Sequence, residues 1–388
     1  MAYQEKTETG YGDRLTGSLK GVGVGFVMFV IGTILLFWNE GNFIKTKKSI
    51  QEAEGIAVSV SDVSAIKSEL NGKLIHASAF ADTQDVLTDG LFGISEKAIS
   101  IKRSVEYYQN EEHSSTQTKD KLGGGQEKVT TYTYKTNWVK KPINSNQFKD
   151  PEYKSSNFVL TTVEEKVVYA KNVSFGAYKL PSFIISSISG ELPADAKSSA
   201  QELKALESKI AGKVHVQGNV VYFGKNADSP SIGDVRVTLT KVLPADISII
   251  AKVTGNSFEQ YIASNGKTFS SVAMGTVSAE TMFANAYSSN SMITWILRLV
   301  GVIVVIMGLK SMFGILPAIF KVIPFLGNIV GAGVGLVSAI IGFAWSLLVI
   351  SIGWLFYRPI IAIPLIAVAI AGIWYLKQKG KQTQPANG

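Results

Sequence analysis

After Glu280 the chain has no aspartate or glutamate, although Arg298, Lys310, Lys321, Arg358, Lys377, Lys379 and Lys381 all follow it. Solvated surfaces normally carry charge of both signs, so a soluble domain is excluded for this stretch. A carboxylate inside a bilayer costs about 2.5–3.5 kcal/mol, so an acid-free apolar tail reads as a membrane domain. Cysteine is also absent, which excludes disulfides, thiolate catalysis and cysteine-ligated zinc. The three histidines, His76, His113 and His215, are too scattered for a local metal motif. They are expected as strand or loop histidines with ordinary hydrogen bonds. No G-x-S-x-G, H-E-x-x-H or phosphate-binding loop occurs, and the Gly331–Gly335 run GAGVG has no Gly-Lys-Ser/Thr after it. Neither a catalytic residue, a cofactor nor a metal site is expected.

The net charge of +8 would suit a nucleic-acid partner, but its distribution removes that class. Residues 39–290 hold 28 Lys/Arg against 27 Asp/Glu, and residues 1–20 hold three of each. The excess lies in the acid-free tail, as it does at the flanks of membrane helices.

Four spans are expected. Residues 21–38 form an uncharged apolar run ending in Phe37-Trp38, longer than a signal peptide's apolar region and without a cleavage site. Residues 291–309 form the second span, with Arg298 near its start beside Trp295, where a long side chain snorkels to the headgroups. Residues 310–328 hold two prolines and two lysines and read as interfacial or re-entrant. Spans three and four follow at 329–357 and 358–376, joined at Arg358-Pro359, and residues 377–388 form a tail. Gly331 and Gly335 provide a small-residue face for helix packing. Tyr357, Arg358, Trp295 and Arg298 are the candidate membrane anchors or lipid-headgroup contacts, since guanidinium binds phosphate through paired donors. Counting positive charge places Lys6, Arg14, Lys20, Lys310, Lys321 and the C-terminal lysines in the cytoplasm. Residues 39–290 then lie across the bilayer; Lys45, Lys47 and Lys48 oppose that count.

This large segment is long enough for its own core. Alternating or β-branched runs predict strands over 73–80, 98–108, 129–138, 158–169, 213–223, 234–242 and 247–253. Helices are expected at 201–210 and 278–287. Residues 111–128, polar and Gly-rich, read as a mobile loop, with Glu111-Glu112 solvated. Gly72–His76 and Gly212–His215 open two similar segments, which suggests tandem duplication. Aromatics alternate with lysines at Tyr132, Tyr134, Lys135, Trp138, Lys140 and Lys141. That spacing suits either stacking on a ligand or a strand with one packed face. The fold class is α+β: a four-span helical membrane protein with a large strand-dominated domain between spans one and two.

Several ordered segments resemble the transmembrane protein 43 (LUMA) family. They include Asn39-Glu40-Gly41, Val105-Glu106-x-Tyr108-Gln109, Tyr132-x-Tyr134-x-Thr136-x-Trp138, Ile143-Asn144-Ser145 with Phe148, and Gly233-Asp234-x-Arg236-Val237. The membrane part adds Ser289–Arg298, Met307-Gly308-Leu309 and Gly353–Pro359. The resemblance implies four spans, a lumenal domain, self-association, and partnership with emerin and lamins at the nuclear envelope in animal members. It brings no catalytic residues. The lack of cysteine and the short N-terminal tail point to a bacterial member in the inner membrane with a periplasmic domain. The alternative is the endoplasmic reticulum and inner nuclear membrane with a lumenal domain; lamins and emerin apply only where a nuclear envelope exists.

The expected function is a non-enzymatic membrane scaffold that forms homo-oligomers and organises other membrane proteins in the lipid bilayer. The alternative is a lipid- or small-molecule-binding membrane protein that uses the strand-rich domain or the membrane segment. Transport is disfavoured because the spans are few and no acid is expected in the bilayer.

Overall fold

The computed structural model describes residues 3–197, 204, 205, 207, 208 and 212–357. Two compact units emerge: one comprises Met1–Lys6, Ser49–Gln117 and Val129–Ala286, and the other Thr7–Lys48, Thr118–Lys128 and Tyr287–Gly388.

The first unit is built on two sheets. The larger runs in the order Tyr3–Thr9, Gln126–Val139, Ser100–Asp120, Val235–Val242, Val220–Gly224, Lys213–Gln217, with Glu191–Pro193 and Lys166–Tyr169 paired onto it. The smaller runs Tyr178–Lys179, Val173–Phe175, Leu74–Thr83, Ala245–Thr254, Ser257–Glu259, with Val58–Val60 and Ser271–Met274 attached. Alternation explains the burial: Val235, Val237 and Leu239 are fully buried, while Arg236 and Thr238 between them face out of the core. One apolar cluster takes Val105, Val221, Phe223 and Val237 from the larger sheet and Ile75, Ala77, Ile247 and Ile249 from the smaller. The two sheets therefore share a single core.

Most expected strands appear near their expected places. Residues 158–169 are an exception, with only Lys166–Tyr169 paired as strand. The matching segments around His76 and His215 are not equivalent. Leu74–Thr83 lies mid-sheet in the smaller sheet, whereas Lys213–Gln217 is an edge strand of the larger one. Their similar openings do not carry a duplicated arrangement, and the two histidines lie in different sheets. The helix expected at 201–210 falls largely outside the described residues. The helix expected at 278–287 is the start of the long helix Ala279–Met312.

The polar segment 111–128 is not a mobile loop. It continues the strand Ser100–Asp120, turns, and returns as Gln126–Val139. Polar cross-strand pairs hold it: Thr116 and Thr130 hydroxyls lie 3.1 Å apart, and Asn137 donates to Glu111 at 2.7 Å. The Gly-rich run is the turn itself, since Gly123 and Gly124 adopt φ of +86° and +84°. Sequence polarity signals solvation here, but the β-propensity of its threonines and tyrosines prevails.

Among the described residues, the second unit contains three helices long and apolar enough to cross a membrane: Tyr11–Ile56, Ala279–Met312 continuing through Phe320, and Pro324–Tyr357. Many of its apolar side chains point outward: Phe26, Val27, Ile31, Leu299, Ile303, Ile340 and Phe343 are all exposed. A bundle apolar on its outside needs an apolar solvent. Contacts fix the directions. Gly25 meets Gly308, Gly32 meets Val305, and Leu36 meets Gly301, so numbers rise on one helix as they fall on the other. The third helix runs parallel to the first, with Thr33 bonded to Trp345 at 3.0 Å and Phe37 packed on Phe356. A Cβ on Gly25 would lie 2.6 Å from the Gly308 carbonyl oxygen, and one on Gly308 would lie 2.7 Å from the Phe29 nitrogen. Small residues allow this close helix pairing.

The segment expected as interfacial or re-entrant, 310–328, breaks at Phe313-Gly314, forms the short helix Ile315–Phe320, and enters the third helix at Pro324. Both prolines sit in a first helical turn, where no backbone donor is required. The fourth span expected at 358–376, Arg358 and the tail lie outside the described residues.

The hairpin turn also belongs to this unit. Asp120 pairs with Arg14 at 2.8 Å and with Lys321 at 2.7 Å, Gly123 donates to the Val322 carbonyl, and Arg14 donates to the Gly124 carbonyl. The charge count assigns residues 118–128 to the translocated segment 39–290, opposite Arg14 and Lys321. The contacts of the hairpin turn with Arg14 and Lys321 are not what that count expects.

Candidate functional site

Glu40, Arg298 and Trp354 meet from three different helices of the second unit. The apolar run 21–38 ends one residue before Asn39-Glu40, and the helix does not end there: it continues unbroken to Ile56. This continuation places the Glu40 carboxylate at 1 % exposure inside the bundle. Antiparallel pairing brings Arg298 to the same level. Its Nε donates to Glu40 Oε1 at 2.6 Å and its Nη2 to Oε2 at 2.8 Å. The fork-to-fork geometry is the strongest form of carboxylate–guanidinium contact. Trp354 Nε1 adds a third donor to Oε2 at 2.8 Å. The guanidinium carbon also lies 4.7 Å from the Trp295 ring centroid and 5.9 Å from that of Trp354.

Polar neighbours on the first two helices extend the cluster. Asn39 donates to the Thr294 carbonyl at 3.1 Å, and Asn290 donates to the Phe43 carbonyl at 3.1 Å. Glycines admit the third helix: a Cβ on Gly353 would stand 2.9 Å from Glu40 Cβ, and one on Gly41 would run into the Tyr357 ring. Unpaired, either charge would be very costly at this depth; paired and aromatic-capped, both are neutralised. The arrangement has no free base, acid or nucleophile, and what it does chemically is join three helices.

Arg298 thus departs from the expectation of a snorkelling headgroup anchor. It is 9 % exposed and points at a carboxylate, while its neighbour Trp295 is 65 % exposed on the outside of the helix. Glu40, expected just past the first span, continues the first helix and lies buried against Arg298. The signal that could have found it is the arginine: one cation in an apolar helix demands one partner at matching depth. Tyr357 packs against Gly41 and Phe37. Gly331 faces the short helix, where a Cβ on it would lie 3.6 Å from the Pro317 Cβ, whereas Gly335 has no described atom within 4 Å of that position.

The strand-rich unit holds a second cluster, built from segments that carry the family resemblance. Arg236 sits directly across from Glu106 in the sheet, donates to it at 2.7 and 2.9 Å, and lies 4.4 Å over Trp138. Trp138 packs on Tyr108 and Tyr222, and the Tyr222 hydroxyl donates to Asp234. Burial, then the Asp234 contact, raises the Tyr222 pKa. Close by in sequence, Tyr134 stacks on Tyr153 with rings 4.0 Å apart and donates to Glu112 at 2.6 Å. Burial followed by that contact pushes the Tyr134 pKa up to about 12. Of the two readings of this aromatic spacing, the contacts match a strand with a packed face, since Tyr134 and Trp138 pack on the protein's own side chains. His76 bonds the Val277 carbonyl at 2.8 Å, and no group of three metal-ligating side chains occurs among the described residues.

Comparison with known proteins agrees with this distribution. The family profile described as Transmembrane protein 43 matches residues 107–359. Mouse transmembrane protein 43 is 30% identical over 369 residues, covering 91% of this chain and 88% of its own. The human protein is 29% identical over 383 residues, covering 95% and 92%, and the fruit-fly homolog is 25% identical over 363 residues, covering 91% and 93%. No solved structure matches.

Proposed function

The chain belongs to the transmembrane protein 43 family, and on that premise we propose that it is a non-enzymatic membrane scaffold that self-associates. The observation that carries this reading is the Glu40–Arg298–Trp354 junction, where the charges buried among the long helices are consumed in joining them. A rigid bundle of this kind presents fixed outer faces to neighbours in the bilayer. Gly335, where an added Cβ would meet no described atom within 4 Å, supplies a place where a helix of a second copy can approach closely. The first partner is therefore another copy of the chain. Other membrane proteins are the wider partners, with emerin and lamins included only in a host with a nuclear envelope. The location proposed is a bacterial inner membrane with the strand-rich unit in the periplasm; the alternative is the endoplasmic reticulum and inner nuclear membrane with that unit in the lumen.

The natural absence of cysteine makes the test clean. Gly335→Cys introduces the only thiol, and oxidation in native membranes should yield a covalent dimer, since a disulfide requires Cα atoms within about 7 Å. Exclusively monomeric protein after oxidation, together with monomeric wild-type protein after amine crosslinking, would sink the scaffold reading.

A further inference from the structure

We propose that a basic cavity at the Arg14 end of the helical unit binds a phosphate group, supplied by the headgroup of an anionic lipid. The cavity encloses about 370 Å³ and lies among the start of the first helix, the end of the second and the turn into the third. Arg14, Lys310 and Lys321 line it together with Ser18 and Asn328. Asp120 is the carboxylate paired with these cations, bonding Arg14 and Lys321. Three cations against one acid leave a positive excess. Arg14 engages Asp120 and the Gly124 carbonyl through Nη1, so its Nε and Nη2 have no acceptor among the described residues. Lys310 has no carboxylate partner among them either. Ser18 and Asn328 add neutral donors of the kind phosphate oxygens accept.

The remaining lining explains why the phosphate belongs to a lipid. Pro317, Ala318 and Val334 form an apolar wall, and Gly314, Gly327 and Gly331 keep the space open. A polar, cationic mouth beside an apolar wall, at the end of membrane-length helices, matches a headgroup with its glycerol and first methylenes. Basic pockets between membrane helices on the cytoplasmic side recognise anionic headgroups on this principle. By the positive-charge count, these three cations mark the cytoplasmic side. The site gives Gly331 a role distinct from helix–helix packing. It is independent of the scaffold reading and stands or falls separately from self-association.

The test uses the full chain in nanodiscs of phosphatidylcholine with a phosphatidylglycerol fraction, followed by native mass spectrometry of the lipid retained on extraction. Phosphatidylglycerol should be retained in preference to phosphatidylcholine. Lys310→Gln should lower retention about fivefold, the effect of one basic group near an anionic surface. Gly331→Leu should abolish it by filling the cavity, and Lys225→Gln on the strand-rich unit should leave it unchanged. Lys310 is exposed, so its substitution leaves the fold intact, and thermal unfolding of both variants checks this. A parallel arm adds inorganic phosphate to protein in phosphatidylcholine alone. A rise in unfolding temperature that Lys310→Gln removes, without preferential lipid retention, would overturn the lipid source and assign the same phosphate chemistry to a soluble one. Equal retention of both lipids with no phosphate response, or retention unaffected by either variant, would overturn the proposal altogether.

Discussion

The two ends of the helical unit treat charge in opposite ways. At one end Glu40 and Arg298 match one to one, at 1 % and 9 % exposure, with tryptophan on both the carboxylate and the guanidinium. At the other, Arg14, Lys310 and Lys321 share Asp120, leaving positive charge unmatched beside a cavity. Balanced charge, deeply desolvated and forked, holds helices together. Unbalanced charge around a space is arranged to receive something. Arginine alone therefore does not distinguish an anchor from a binding group; the charge facing it does.

Removing one partner at the balanced end should have the largest effect. Glu40→Ala leaves a buried guanidinium and should cost about 3–5 kcal/mol, read as a lower unfolding temperature in detergent. The double replacement Glu40→Leu with Arg298→Leu should recover most of that loss, because an apolar pair avoids the desolvation cost. A double variant as unstable as the single one would refute the pairing. Trp354→Phe keeps the ring but removes one donor to the carboxylate, and should cost about 1.5–3 kcal/mol in the same assay.

The cationic end should respond to acid. Burial raises the Asp120 pKa, but contacts from Lys321 and Arg14 outweigh it and leave the net value lowered. A depressed carboxylate contributes stability that is complete above its unfolded value near 4 and is lost as pH falls through the lower folded value. In the strand-rich unit, Asp85 is lowered chiefly by the Asn172 N–H, and Glu96 chiefly by Lys241. Unfolding temperature should thus be flat above about pH 5 and decline below about pH 4, the range in which carboxylates protonate. Asp120→Asn should flatten part of that decline, and an unchanged acid profile would count against the contact.

The smallest perturbation is topological. Lys121→Cys alters a largely solvated ion pair and should cost under about 1 kcal/mol. An impermeant thiol reagent should label it with the sidedness of Lys20→Cys, because the hairpin turn and the start of the first helix touch. Opposite sidedness would break that contact.

Much of this architecture is legible in the chain itself. Apolar runs locate the three described membrane-length helices, and period-two alternation locates the strands around Val105, Val237 and Ile249. What escapes depends on partners distant in sequence. Glu40 and Arg298 are joined only when two helices pair antiparallel, and nothing local marks a carboxylate just past an apolar run as buried. Of the hairpin over 100–139, the two outer strand segments are legible, and only 111–128 is hidden, because its stabilising pairs are polar and polarity alone reads as loop. Gly331 and Gly335 share one helix face in sequence, yet one lines a cavity opposite Pro317 and the other lacks a described neighbour. Small-residue spacing shows that an approach is possible and leaves its partner unspecified.

The scaffold reading rests most directly on assembly mass. Native mass spectrometry of the full-length protein, released from nanodiscs, should give a discrete multiple of the 41.8 kDa chain, and Gly335→Leu should shift it toward the single chain. A 41.8 kDa species alone, at every concentration and in every lipid tried, would contradict the account.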